Sequence, residues 1–398
     1  GFRMHYATVL FTTCLLSLGF TTAAVAQPYV AGEVYHDAAR AIEYHAGDAP
    51  VVLSVPHGGA LAPDSLPDRD CEGCSYLRDS YTQELAREFI LAYRARTGCS
   101  PHVVINLLHR RKLDMNRDLA EATDSLAAKE PLWRAYHAFV DSAKAAILRG
   151  YGRGLFLDLH GHGHEKQRIE LGYLLSASSL RKSDSVLNTS TYHAYSAIRA
   201  LAGNNHFGLT HAELLRGPYS FGTLLATAGY PAVPSMQDPF PLEGDEYYDG
   251  GYNTAAHGSR KQGSIDAIQM ELYSAIRFNA AQRRSFADSL AGIVLRFIDM
   301  HYHPGFLATP CVVLGGERIA EARPGYARPW PNPADAWLWL PASSTPRRLR
   351  LYTLFGTLLR DLDGTAAPLY VGDLAPGMYL LLVETRDAPP QRHTFLKR

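Results

Sequence analysis

Short apolar runs that each end at polar or charged residues, separated by stretches of helical periodicity, constrain this chain more than any other feature. The runs are "VVLSV" (51–55), "VVINLL" (103–108), "GLFLDL" (154–159), "IELGYLLS" (169–176) and "SIDAIQMEL" (264–272). Between them, 79–96 sets Tyr81, Leu85, Phe89 and Tyr93 at helical spacing, and 130–150 repeats that pattern before stopping at Gly150. Residues 190–202 and 272–283 also read as helix. Strands alternating with helices predict an α/β three-layer sandwich around a mostly parallel or mixed sheet. In such sheets, ligands gather at the carboxyl ends of the strands.

After about residue 323 the texture changes. "RPGYARPWPNPADAWLWL" is rich in proline and aromatics, and "RRLRLYTLFGTLL", "PLYVGDL" and "GMYLLLVE" are short alternating runs divided by turn residues. This predicts a small all-β sandwich domain over 323–398, joined by a linker at 305–322 to a catalytic domain over 27–304. At the other end, Arg3 and His5 precede "VLFTTCLLSLGF" and an Ala24-Val25-Ala26 processing signal. That run is shorter than the roughly 20 residues of a membrane span. It reads as a signal peptide over 1–26, and no later segment is long and apolar enough to span a bilayer.

Lys and Arg total 39, as do Asp and Glu, for a formal net charge of zero. This argues against nucleic acid as the main partner, while leaving room for a local charged pocket. Beyond Cys14, the cysteines are Cys71, Cys74, Cys99 and Cys311. The CxxC at 71–74 has no second CxxC to complete a zinc site, and an exported chain favours a structural disulfide, with the pairing open.

The chemistry falls on the strand ends. His57 follows the first run, "HRRKLDMNRDL" (109–119) follows the second, His160 leaves the third, and Glu271 closes the last. Two imidazoles and a carboxylate are a common ligand set for catalytic zinc. Asp158 shares a strand face with His160 and could orient its ring. Asn116 and Arg117, beside Arg110 and Arg111, suit an anionic substrate. His162 and His164 read as loop histidines. The chain has no G-x-S-x-G, and Ser54 lies inside a strand, which argues against a serine hydrolase. The residues point to a secreted metallohydrolase.

In order, "VVLSVPHGG", "RDSYTQEL", "RRKLDMNRDL", "LFLDLHGHG", "GGYNTAAHGS" and "DAIQMEL" resemble the N-formylglutamate amidohydrolase family. That family is related in fold to zinc carboxypeptidases and aspartoacylases. The resemblance implies that His57 and His160 bind Zn2+, that Glu271 is the general base, and that Arg117 with Asn116 holds a substrate carboxylate, helped by Arg110 or Arg111. Asn253 and His257 would border the substrate. The carboxypeptidase His-x-x-Glu pair is absent, since Ala60 stands third after His57. Asp79 is then the implied third ligand, with Glu84 the alternative. The expected activity is hydrolysis of an amide in an N-acylamino acid or peptide bearing a carboxylate. A metal-free or degenerate ligand-binding protein on the same scaffold is the second reading.

The C-terminal part, with its Pro-Asn-Pro start, "YTLFG" turn and L-x-x-G-x-Y element, resembles the type IX secretion sorting domain. A carbohydrate-binding sandwich is the rival. The sorting domain implies secretion and surface-attachment machinery as partners, and release or attachment at the outer-membrane surface of a Gram-negative bacterium.

Overall fold

The computed structural model describes residue 1, residues 29–71, 73–307 and 310, and, further on, 337–338, 346–353, 356–363, 369–385 and 391–397. The expected signal peptide apart from Gly1, most of the expected linker, the Pro-Asn-Pro segment and Cys311 lie outside the described residues. An α/β unit with a mixed sheet is followed by a smaller antiparallel β unit.

The large sheet has strands β1 (Val34–His36), β2 (Ile42–His45), β3 (Val51–Val55), β4 (His102–Asn106), β5 (Gly154–Gly161), β6 (Ile169–Gly172), β7 (Ala232–Val233) and β8 (Ile265–Leu272). Their spatial order is β1-β2-β4-β3-β5-β8-β6-β7. The centre is parallel, from β4 through β3 and β5 to β8. β1–β2, β2–β4 and β6–β8 are antiparallel, so the sheet is more mixed than a repeating strand–helix pattern suggests.

Each central strand divides its side chains between two faces, as period-2 pleating requires. On one face, Val51, Leu53, Val55, Leu155, Leu157, Leu159, Ile268 and Met270 pack with the helices Thr82–Thr97 and Ala280–His301. On the other, Val52, Phe156 and Ala267 pack with the helix Glu130–Tyr151. This second face turns polar towards the carboxyl ends. Ser54 pairs in register with Asp158 and Asp158 with Gln269; one step further, His160 pairs with Glu271 and Glu170 with Glu271. All of these residues are buried. Burying polar groups is costly unless they are hydrogen-bonded, so a polar row in a close-packed sheet needs partners.

Two expected helices differ in extent. The stretch 190–202 is broken into Ser190–Tyr195 and Arg199–Gly203, because Ala197 bonds through its backbone to Tyr173 and Ala267 instead of continuing a helix. The stretch 272–283 ends a short helix at Phe278, and Asn279 caps a new one that runs to His301. The first helix begins at Thr82, which leaves Asp79 in the loop before it. No helix among the described residues is long and apolar enough to cross a membrane.

The smaller unit is a sheet of Leu358–Asp363, Pro346–Thr353, Gly377–Thr385 and Gln391–Lys397 in that spatial order, antiparallel throughout. Leu349, Leu351, Leu381, Val383 and Phe395 form its core with Leu338 and Leu369.

Candidate metal centre

His57 leaves β3 after Pro56, where the chain must turn tightly against the end of β4. A Cβ on Gly59 would lie 2.2 Å from the Leu108 carbonyl oxygen, so that position has no room for a side chain. The His57 carbonyl accepts from the Asp79 backbone N–H at 3.1 Å, which ties the loop carrying Asp79 to the end of β3. His160 comes from β5 on the polar face.

These three side chains converge. His57 Nδ1 and His160 Nδ1 are 3.1 Å apart; Asp79 Oδ2 is 3.1 Å from the second and 3.4 Å from the first. Ligands at zinc–nitrogen and zinc–oxygen distances in a tetrahedral shell stand about 3.3 Å apart. The outer nitrogens fix the direction of the inner ones. His57 Nε2 donates to Asp114 Oδ1 at 2.6 Å, and His160 Nε2 donates to Asp158 Oδ2 at 2.9 Å. A carboxylate only accepts, so a ring that holds one proton keeps its lone pair on Nδ1. In the ion-free protein a proton on His160 Nδ1 bridges to Asp79 Oδ2. When that proton leaves, two lone pairs and a carboxylate oxygen face one point, which suits a cation. The residues fit a metal ion, and His57, Asp79 and His160 form a group able to hold one. Outer carboxylates of this kind orient ligating imidazoles and raise their basicity.

The supports are themselves held. Asp158 Oδ1 accepts from Ser54 Oγ at 2.7 Å and Asn253 Nδ2 at 3.2 Å, and Ser54 meets Tyr136 OH at 2.5 Å. Asp114 accepts the Asn116 backbone N–H at 2.9 Å and Arg110 Nε at 2.8 Å. Asn116 also lies against His160 Nε2 at 3.4 Å and accepts the Asn253 N–H at 2.8 Å. Arg277 clamps the rim by donating to the carbonyls of Leu272, Ser80 and His162.

Charge follows the same geometry. Burial works to raise the Asp79 and Asp114 carboxyls, but the imidazoles, and for Asp114 also Arg110, outweigh it and hold both below the ordinary range. Burial works against a charged His160, yet Asp158 and Asp79 outweigh it and raise the imidazole well above its usual value. Glu271 behaves in the opposite way. Burial, reinforced by Asp79, Glu170 and Asp158 against His160, pushes it up to about 8. Its Oε1 accepts from Gln269 Nε2 at 3.0 Å.

The structure brings His57, Asp79, Asp158, His160, Asn116 and Asn253 into one network, with Glu271 in register beside His160 and Arg110 on Asp114. Asn253 bonds to Asp158 behind His160, where it supports the ring. Arg117 is directed elsewhere: its Nε pairs with Glu121 at 2.7 Å and Nη1 donates to the Asn116 carbonyl. An i,i+4 carboxylate on the following helix captures it. His257 instead meets His137 at 2.9 Å, with Asp141 and Lys144 at its other nitrogen. Glu84 is exposed on the first helix. Sequence reasoning missed Asp114 and Arg277. Asp114 did leave a signal, as an acid between the apolar Leu113 and Met115 in a segment already singled out.

No family model matches the chain, and no curated protein matches it. Among solved structures, N-formylglutamate amidohydrolase from Ralstonia eutropha is similar at 13% identity, covering 65% of this chain and 97% of that one, with a TM-score of 0.39. A gene product of Agrobacterium tumefaciens is similar at 13% identity, covering 65% and 95%, with a TM-score of 0.38. Both are distant likenesses.

Proposed function

We propose that this chain is a secreted zinc-dependent amidohydrolase that cleaves an amide bond in an N-acylamino acid or peptide bearing a carboxylate. One observation carries the reading: the Asp114–His57 and Asp158–His160 pairs turn both Nδ1 atoms towards Asp79 Oδ2. His57, Asp79 and His160 would hold a zinc ion, which would supply Lewis acidity and lower the pKa of a bound water. Glu271, in register with His160, accepts a proton from the attacking water and passes it to the departing amine. Without a cation its carboxyl keeps that proton at neutral pH, and positive charge at the neighbouring ligands favours its release.

Arg110 takes the part of carboxylate anchor. Its Nε is committed to Asp114, and its charge acts on both Asp79 and Glu271, so its guanidinium lies beside the centre. The remaining N–H groups suit an anionic substrate. The Cys71–Cys74 disulfide suits an oxidising compartment. The C-terminal antiparallel sheet is the sorting domain in this reading, and it takes no part in catalysis.

The test joins metal analysis to turnover. The purified protein binds zinc, His160→Ala does not, and full metal content in that variant overturns the assignment. A panel of N-acylamino acids and short peptides shows turnover that Glu271→Gln lowers about 10²- to 10⁴-fold. Unchanged turnover in Glu271→Gln removes the base.

A further inference from the structure

The loop between Pro67 and Arg78 is mostly exposed, yet one of its residues, Arg69, is turned inward and buried. Its Nη1 donates to Asp114 Oδ2 at 3.4 Å, and its Nη2 donates to Cys74 Sγ at 3.0 Å. The backbone is pinned on both sides, since the Arg69 N–H donates to the Arg111 carbonyl at 2.6 Å and the Tyr76 hydroxyl donates to the Arg69 carbonyl at 3.1 Å. Cys74 is bonded to Cys71, and the same loop runs directly into Asp79. We propose that Arg69 is a positioning residue for His57, acting through Asp114, and that the Cys71–Cys74 disulfide holds Arg69 in place. The proposal rests on the reading of His57 as a metal ligand.

Asp114 is gripped from both sides. Its Oδ1 takes the His57 Nε2–H and the Asn116 N–H, and its Oδ2 takes Arg110 and Arg69. A carboxylate with both oxygens committed cannot rotate, and so it fixes the plane of the imidazole that leans on it. Arg110 is the more accessible of the two cations, with 13% of its side chain exposed against 1% for Arg69. Arg69 is therefore the rigid grip. The sulfur is a weak acceptor, but a cysteine tied to another three positions away keeps that acceptor at a constant position.

The experiment uses full-length protein freed of metal and titrated with Zn2+ against a chromophoric chelator. The variants are Arg69→Met, Arg69→Lys and Cys71→Ser/Cys74→Ser. Serine replacement avoids the thiols that chemical reduction would release as competing ligands. Loss of a partner that orients a metal-bound imidazole costs about 10- to 100-fold in affinity. Arg69→Met and the double serine variant are each expected near the low end, about 10-fold weaker, with Arg69→Lys recovering part of the loss. Adding Arg69→Met to the double serine variant costs little more, because both act through one contact.

A second reading needs no metal. The downfield proton resonance of His57 Nε2–H in the ion-free protein moves in Arg69→Met and in the double serine variant. A role in stability alone would lower the unfolding temperature and leave both affinity and resonance where they were, and that result overturns the proposal. If the wild type binds no zinc, the function proposed above fails, and an unmoved His57 resonance in Arg69→Met then overturns this inference on its own.

Discussion

His57 with His160 and His162 with His164 are two histidine pairs at the same edge of one sheet, and each has a carboxylate within reach, Asp79 for the first and Glu170 for the second. They differ in what their nitrogens already do. In the first pair, both outer nitrogens are given to carboxylates and both inner ones face inward. In the second, His162 Nε2 donates to the Arg168 carbonyl while its Nδ1 accepts the His164 N–H. His164 Nδ1 donates to Glu170 at 2.7 Å, and the ring stacks on Tyr248. One pair aims both inner nitrogens at a common point, and in the other His162 commits both of its nitrogens to shaping a loop while His164 commits its Nδ1 to Glu170. A histidine cluster becomes able to hold a metal through the partners behind the rings, which composition does not reveal.

The largest effect is expected where that contrast is sharpest. Zinc at about 1,000 times its Kd should stabilise the ion-free wild type by roughly 4 kcal/mol. His57→Ala removes the rise in unfolding temperature entirely, whereas His164→Ala keeps it; calorimetric melts with and without zinc decide the matter. The outer partners come next. Asp114→Asn and Asp158→Asn each weaken zinc binding about 10- to 100-fold in a chelator competition, since an amide can present its N–H to the imidazole and invert the tautomer.

The two arginines of the same segment offer a comparable contrast. Arg110 faces the centre and Arg117 pairs with Glu121 on the surface. Arg110→Met should raise KM for a carboxylate substrate about 10- to 100-fold, the worth of a hydrogen bond to a charged group. Arg117→Met should stay within about twofold, because an exposed i,i+4 pair contributes little. Equal effects in steady-state kinetics would restore Arg117 as the anchor.

A third pair, His137 and His257, sharpens the point through pH. Their rings are bonded to each other and buried, and burial, with His257 nearby, lowers His137 to about 3. Between the ordinary value near 6.5 and 3, the unfolded chain binds a proton at this position that the folded chain does not. Stability is therefore full above about 6.5 and falls as pH drops through that window, by up to about 1.4 kcal/mol per pH unit from this residue. His137→Gln should flatten the fall in denaturant melts between pH 6 and 4, and an unchanged slope would count against a buried neutral imidazole.

What could be read beforehand follows from these contacts. The strands β3, β4, β5 and β8 were legible because apolar runs stop at polar residues, and a buried polar residue there needs a hydrogen-bonding partner. His57, Asp158, His160 and Glu271 stood out in this way. β1 and β7 are short edge strands and β2 is only four residues long, all with little periodicity, and the break at Ala197 depends on backbone bonds to distant residues. Asp79 came from family resemblance alone. Its position three residues before the first helix gives no sign that it meets His160, which lies 81 positions later in the chain. Arg117 is paired for a local reason that the strand pattern does not reveal, because Glu121 lies one helical turn on.

The smallest expected effect tests the comparison most severely. His162→Gln and His164→Gln each leave an amide where an imidazole stood, and a glutamine N–H can replace the bond to the Arg168 carbonyl or to Glu170. Each should cost about 1 kcal/mol of stability, the ordinary worth of a hydrogen bond. Zinc affinity should change less than about threefold, since neither ring touches His57, Asp79 or His160. Glu170 makes His164→Gln the more exacting of the two. It pairs with Glu271 across β6 and β8, and its other oxygen accepts the Tyr248 N–H at 2.8 Å. A glutamine that preserves the donor keeps Glu170 in place, so turnover should hold as well. A tenfold loss of zinc affinity in His164→Gln, measured against an unchanged fold, would mean that the second pair contributes a ligand and that the contrast between the two pairs is wrong.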